Sequence, residues 1–377
     1  MNIRAGDWVT VRPWEEIVAT LDRSGELENL PFMAEMLQHC GKRLRVSAVA
    51  HKTCDTINKT GGRRVTNAVH LDGIRCDGRA HGGCQAGCLI FWKTDWLQPA
   101  DEGATQGAIR APPSTGALMV DDLRAMGVRG GNDEPMYSCQ ATRLFAASIR
   151  LQWWDVRQYV RDVWSGNVRV GRFLRVAVSR VAYSLRNLPT GYRAAVRLHD
   201  LLHKVLTGRP TPYRRGLIPT GERTPTETLN LRPGEWVEVK PLDEILTTLS
   251  ERGRNRGLLF DPEMAQYCTQ RFRVNRRVER IIDERTGVML PMKTPCLVLD
   301  GAVCSSEYSA KRVFCPRQIQ PYFREIWLRR TRVGAAGVPG AERSAGVEAL
   351  DDDFRSVARE ALPEVRVADV RLLPGHR

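Results

Sequence analysis

Cysteine offers most of the chemistry in this chain of 377 residues, which holds ten of them beside seven histidines. Cys40, Cys54, Cys76, Cys84 and Cys88 lie in the first hundred positions, Cys139 stands alone, and Cys268, Cys296, Cys304 and Cys315 come late in the chain. Four thiolates satisfy a tetrahedral zinc ion or an iron–sulfur cluster, so two groups of this size point to thiolate-ligated metal. No two cysteines have the C-x2-C spacing of a zinc knuckle. The C-x7-C interval, from Cys76 to Cys84 and from Cys296 to Cys304, is not a ferredoxin spacing. Buried thiols that pack as small hydrophobes, and disulfides of an exported protein, are the competing readings. The N-terminal MNIRAGDWVTV has no apolar stretch of signal-peptide type. Metal or redox chemistry in the cytoplasm is therefore expected over a disulfide framework.

The positioning elements come in two copies. Residues 6–46 align without gaps to 234–274, with 19 identities in 41 positions: GDWVTVRPWEEIVATL against GEWVEVKPLDEILTTL, then LPFMAEMLQHCGKRLRV against LLFDPEMAQYCTQRFRV. The same offset of 228 carries Asp55 onto Asp283 and Leu71-Asp72-Gly73 onto Leu299-Asp300-Gly301. Three further residues in the second copy bring Cys84 onto Cys315 and Trp96-Leu97 onto Trp327-Leu328. The copies are residues 5–98 and 233–329. Each opens with a Gly-acid-Trp-Val-x-Val strand, continues with a short helical pattern, and then alternates through short strands and Gly-rich turns, the pattern of a small antiparallel barrel. The opening strand and the Arg-x-Arg-Val strand resemble SH3-like barrels of the KOW or nitrile-hydratase-beta type, which implies a fold and not an activity. The whole chain also resembles uncharacterised bacterial cysteine-rich proteins. The expected fold class is α+β: two homologous small SH3-like β-barrel modules with short helices, joined by a basic α-helical segment.

The duplication sorts the thiols. Cys40/Cys268, Cys76/Cys304 and Cys84/Cys315 are equivalent pairs retained where the surrounding sequence has diverged. For the second copy the expected ligands are Cys268, Cys296, Cys304 and Cys315. Cys296 falls opposite Ala68, so the first copy needs another fourth thiol. Cys88 is preferred, because Cys84-x3-Cys88 puts two sulfurs one turn apart on a helix; Cys54 is the alternative. The first set is then Cys40, Cys76, Cys84 and Cys88. Iron–sulfur is slightly favoured over zinc, since Gly83 and Gly87 would let backbone amides approach cluster sulfurs, although they also suit plain turns.

The first copy carries extra polar chemistry. HKTCDT (51–56) brings His51, Lys52 and Cys54 together where the second copy reads ERIIDE. A thiol beside an imidazolium and a lysine has a lowered pKa, so Cys54 with His51 is the expected reactive pair, set against solvated strand-end residues beside a core thiol. His39, His70 and His81 also belong to this copy only, with Tyr267 and Val298 opposite the first two. Cys139 is an extra ligand, a redox partner or, preferentially, a buried thiol. Asp55/Asp283 and Asp72/Asp300, shared by both copies, suggest a structural task.

Lys and Arg exceed Asp and Glu by 57 to 43, and residues 139–215 alone carry fifteen basic and three acidic residues. There, Val170, Phe173, Leu174, Ala177, Val178, Val181 and Leu185 recur at helical spacing with arginines among and opposite them, and 192–206 forms a second amphipathic run. A basic amphipathic helix suits an anionic membrane surface, an acidic protein or nucleic acid, or docking on the chain's own barrels with its arginines outward. Anionic lipid is favoured over nucleic acid, and no RNA-binding signature is present. Residues 99–138 and 207–232 read as linkers, 139–206 as the basic helical segment, and 330–377 as a flexible tail with a short helix. P-loop, Rossmann, GxSxG and HExxH motifs are absent. The expectation is a metal-dependent biosynthetic enzyme or redox component. Its first module would act on a small-molecule or carrier-bound substrate, and its second would be structural. A non-enzymatic zinc-stabilised adaptor that binds RNA or an acidic partner is the alternative.

Overall fold

Alternation of β-branched and polar residues starts each sheet. The computed structural model describes residues 2–100, 122–123, 126–129, 135–186, 200–201, 203–205, 208, 211–309 and 311–331, and side chains within 182–186 are not described. All of these belong to one compact unit, residues 1–332. β1 (Trp8–Val11) buries Val9 and Val11 and turns Trp8 outward. Pro13 sets the entry to α1 (Trp14–Val18), whose first turn carries Glu15 and Glu16, the charge that suits a helix N-terminus. β2 (Glu26–Leu27) and β3 (Leu30–Pro31) form a hairpin through Glu28 and Asn29, both at positive φ, the mirror-image turn that a two-residue hairpin prefers. A 3-10 turn (Ala34–His39) leads into β4 (Arg43–Val49), β5 (Lys52–Cys54), β6 (Gly62–Arg64), β7 (Ala68–Leu71), β8 (Trp92–Lys93) and β9 (Leu97–Pro99). The main sheet has the order β8-β7-β4-β1-β9, with every pair antiparallel.

The middle of the chain contributes a ribbon, β10 (Val128–Arg129) with β11 (Met136–Tyr137), where a linker was expected. The short helix α2 (Gln140–Arg143) and strand β12 (Ile149–Leu151) follow, and β12 pairs with β6 to make the sheet β12-β6-β5. Two longer helices come next, α3 (Arg157–Trp164) and α4 (Val170–Arg186). The amphipathic run at 192–206 lies largely, and the tail at 332–377 wholly, outside the described residues.

The order of elements then recurs at the offset read from the sequence. β13 (Trp236–Val239), α5 (Leu242–Leu246), the hairpin β14 (Arg254–Asn255)/β15 (Leu258–Leu259), a 3-10 turn (Pro262–Tyr267), β16 (Arg271–Ile282), β17 (Met289–Leu299) and β18 (Leu328–Arg330) give the sheet β17-β16-β13-β18. β4 and β16 carry a register shift at the same place, after Val46 and after Val274. In each core an indole N–H donates to a threonine hydroxyl, Trp96 to Thr20 and Trp327 to Thr248, both at 3.1 Å. A phenylalanine, Phe32 or Phe260, meets each indole edge-on at 5.2 Å. The mixed α+β class, mostly antiparallel with few helices, is as the sequence leads one to expect.

The two copies meet through counterpart residues. The Thr56 hydroxyl donates to Glu284, and Arg285 Nη2 donates to the Ile57 carbonyl at 3.2 Å, both across 228 positions. A residue that touches its own counterpart marks a local two-fold relation. The cysteine-bearing loops lie along this seam.

Candidate metal centre

The loop that follows β7 folds back on itself between Cys76 and Cys88. Cys76 N–H donates to Cys88 O at 2.9 Å, and the His81 and Gly83 amides both donate to Gly78 O at 2.9 Å. Gly78 sits at φ +72°, and a Cβ there would collide with the Cys84 backbone, so the winding of this loop requires glycine. Cys76, His81, Cys84 and Cys88 from the loop line one cavity, and Cys139 joins them from the start of α2. Gln140 fixes α2 to the first copy: its amide nitrogen donates to Phe91 O at 2.8 Å and Pro31 O at 3.1 Å, and its oxygen accepts from Phe91 N–H. The second copy closes the seam side of the cavity. Ile282 N–H donates to the Cys84 sulfur at 3.4 Å, and Glu284 and Arg317 complete the lining.

Glu35, in the first 3-10 turn, organises the opposite side. His81 Nδ1 lies 2.8 Å from Glu35 Oε1, which also accepts from Ala80 N–H at 3.3 Å and from Cys76 Sγ at 3.7 Å. Burial works to raise this carboxyl, but His81 and the Ala80 amide outweigh it and hold the group below its ordinary value. Its second oxygen, Oε2, is buried without a partner. Donation of one imidazole N–H to a carboxylate leaves the other ring nitrogen free to bind a metal, the usual support of a ligating histidine. Glu35, Cys76 and His81 offer ligand atoms that all lie within 4.8 Å of one another, and among the described residues no three thiols approach that closely. Burial above all raises the Cys76 thiol, with Glu35 and Cys88 adding to it; burial also pushes Cys88 up to about 12 and raises Cys139. These thiols are protonated at neutral pH, and a bound metal would release their protons.

Other expected ligands lie elsewhere. Cys40 and Cys268 end the two 3-10 turns with matching backbone angles (φ −54° and −55°) and pack on the two hydrophobic cores. They share that position in the two copies, and neither lines the cavity. Cys296 is fully buried in a small cluster with Val278 and Val298. Cys304 and Cys315 belong to a second group of thiols, and the residue that joins them is Cys54, from the first copy. The arrangement is reciprocal: Cys54 meets Cys315 as its counterpart position, Ile282, meets Cys84.

The expected reactive pair is not brought together. His51 Nδ1 faces Val49 O at 3.3 Å and Nε2 faces Asp162 Oδ1 of α3 at 3.1 Å, so neither ring nitrogen is directed at Cys54. Lys52 also turns to Asp162, at 2.5 Å, and donates to Val313 O. The Cys54 thiol is lowered for another reason. A hydrogen bond from the Cys315 thiol, aided by Arg317 and Arg312 and opposed by burial, brings it down to about 6, while Cys315 is raised well above its ordinary value. Asp55 caps its own turn through the Ile57 and Asn58 amides, as Asp283 does through the Arg285 and Thr286 amides, which is the structural task expected of them.

Sequence reasoning took Cys139 preferentially as a buried thiol and passed over Glu35 as a ligand or support. One signal was present: Glu35 and Glu263 are identical acids between apolar neighbours in the two copies, and both are buried. Glu263 accepts from the Tyr308 and Ser309 amides where Glu35 takes the Ala80 amide and His81. Compared with known proteins, the chain matches no protein-family model and no curated protein.

Proposed function

We propose that the chain is a thiolate-ligated metalloprotein built from two SH3-like modules, with its centre at Cys76, Cys84, Cys88 and Cys139. The observation that carries this reading is the convergence of four thiols, from a glycine-shaped loop and a helix start, on one cavity. Four thiolates at about 2.3 Å from a single zinc ion lie about 3.8 Å apart. A cluster interposes its own iron and sulfide between its thiolates and so spans a wider set of cysteines than one zinc ion does. The chemistry such a cluster supplies is one-electron transfer. Glu35 orients His81 at the rim and keeps its charge there. Cys54, whose thiol is lowered, is the one we assign to a redox or sulfur-related reaction, with Cys315 rather than His51 as its hydrogen-bond partner. The second module is structural in this reading.

A second reading is favoured by one observation. Glu35, Cys76 and His81 are close enough to hold a single ion without rearrangement, which suits zinc and a non-enzymatic role. Anaerobic purification followed by metal and acid-labile sulfide analysis separates the two. Iron with equimolar sulfide and absorption in the visible supports the first; colourless protein with stoichiometric zinc supports the second.

A further inference from the structure

Of the two long helices of the basic segment, α3 is inside out, and α4 is split: Phe173 and Val176 pack toward Phe314 while a second apolar stripe faces out. On α3 the buried side chains are Gln158 and Asp162, and Asp162 takes His51 and Lys52. The apolar residues Val156, Val160 and Trp164, four apart along one stripe, are each more than half exposed, as are Trp153 and Trp154 just before the helix. On α4 the arginines flank the apolar contact with Phe314. Arg172 pairs with Glu307 at 2.7 Å, and Arg180 reaches Tyr213 and Tyr308 at 3.4 Å. Val170, Leu174 and Val181 point away from the body and are more than half exposed, with Val178 nearly so. The expected docking of α4 by apolar residues is met through Phe173 and Val176, and the outer stripe is left uncovered. A surface helix normally turns its apolar stripe inward.

Ordinary solubility gives no reason to spend acids on the inside and leave valine, leucine and tryptophan outside. Charge narrows the occupant. Between residues 139 and 186 the acidic residues are Asp155 and Asp162, and neither is exposed. Arg157, Arg161 and Arg169 are exposed along the same helices and the turn between them. Arg4 stacks on Trp164 at 5.3 Å, which adds a cation beside an exposed indole. Aliphatic stripes flanked by tryptophan and arginine match the boundary between acyl chains and anionic headgroups, where indoles settle and guanidinium groups meet phosphate. A nucleic acid would leave the valines without a partner, and a second copy would bring +12 of segment charge against +12. No described helix is long and apolar enough to cross a membrane, so the contact is with the surface. We infer that α3, α4 and the Trp153-Trp154 pair form a docking face for an anionic lipid bilayer, with Val160, Trp164 and Leu174 entering the acyl boundary and Arg157, Arg161 and Arg169 meeting headgroups.

The test is flotation of the full chain with liposomes of phosphatidylcholine alone, or with about one-third phosphatidylserine, at low and high salt. The protein should float with anionic vesicles, stay down with neutral ones, and lose binding as salt rises. Val160→Glu/Leu174→Glu should cut the bound fraction about tenfold with far-UV dichroism and thermal unfolding unchanged, and Trp153→Ala/Trp154→Ala, outside both helices, should also weaken it. Absence of flotation on anionic vesicles at low salt, or flotation indifferent to both double substitutions, overturns the inference. A stable dimer that Val160→Glu/Leu174→Glu dissociates gives the face to a second copy and overturns it as well.

Discussion

His70 should make the first copy acid-sensitive in a way that the second copy is not. Its ring is fully buried on β7, with Nδ1 donating to Ile90 O at 2.8 Å and Nε2 without a partner. Burial is the main cause that brings it down to about 4, with Arg317 and Arg75 lowering it further and the Ile90 bond opposing. A folded value below the unfolded one means that His70 contributes its full stability above about pH 6.5, and that this is lost as pH falls towards 4. Two and a half units correspond to about 3.4 kcal/mol at the limit, and to about 2.5 kcal/mol between pH 8 and pH 4.5. The counterpart, Val298, is buried and cannot titrate. His70→Val therefore imports the second copy's solution. Urea denaturation of both proteins at pH 8, 6 and 4.5 should show the wild type losing about 2.5 kcal/mol more than the variant over that range. Parallel pH profiles, within about 0.5 kcal/mol, would refute the reasoning, because carboxylates common to both proteins would then account for all the acid sensitivity.

Asp162→Ala strands the buried Lys52 ammonium and should cost about 3–5 kcal/mol in chemical denaturation, with much of it recovered in Asp162→Ala/Lys52→Met. Trp96→Phe and Trp327→Phe each remove an indole–threonine hydrogen bond and core volume in matched surroundings, so each should cost about 2–3 kcal/mol, by a similar amount, in thermal unfolding. Glu35→Gln removes the carboxylate that faces His81 and should weaken metal retention about 10–100-fold in a chelator competition, with the fold intact by circular dichroism.

The elements were legible because the chain states them twice: Val9 and Val11 against Val237 and Val239, Pro13 against Pro241, Trp96 against Trp327, with the same partners on each side. Comparison of the copies treats every retained thiol alike. Cys40 and Cys268 each end a 3-10 turn against a core, while Cys76 and Cys84 line the cavity. Cys139 has no counterpart, so nothing in the repeat pointed to it; its place depends on Gln140 bonding to Phe91 and Pro31, contacts across 49 and 109 residues. The crossing of Cys54 into the second copy's thiols follows from the pseudo-symmetric seam, which no local spacing encodes. The helix at 170–186 was visible from its period, yet its period could not say which face turns inward; Phe314 and Glu307, far along the chain, meet that face. Asn167, just before this helix, bridges Val49 N–H and O, tying the segment to β4.

The central claim is that the loop thiols and Cys139 hold one centre while Cys40 does not. It is tested most directly by iron and sulfide content of anaerobically purified Cys139→Ser beside Cys40→Ser. The account predicts that Cys139→Ser loses its visible absorption and most of its iron, and that Cys40→Ser keeps both. Full iron in Cys139→Ser with loss in Cys40→Ser would contradict it.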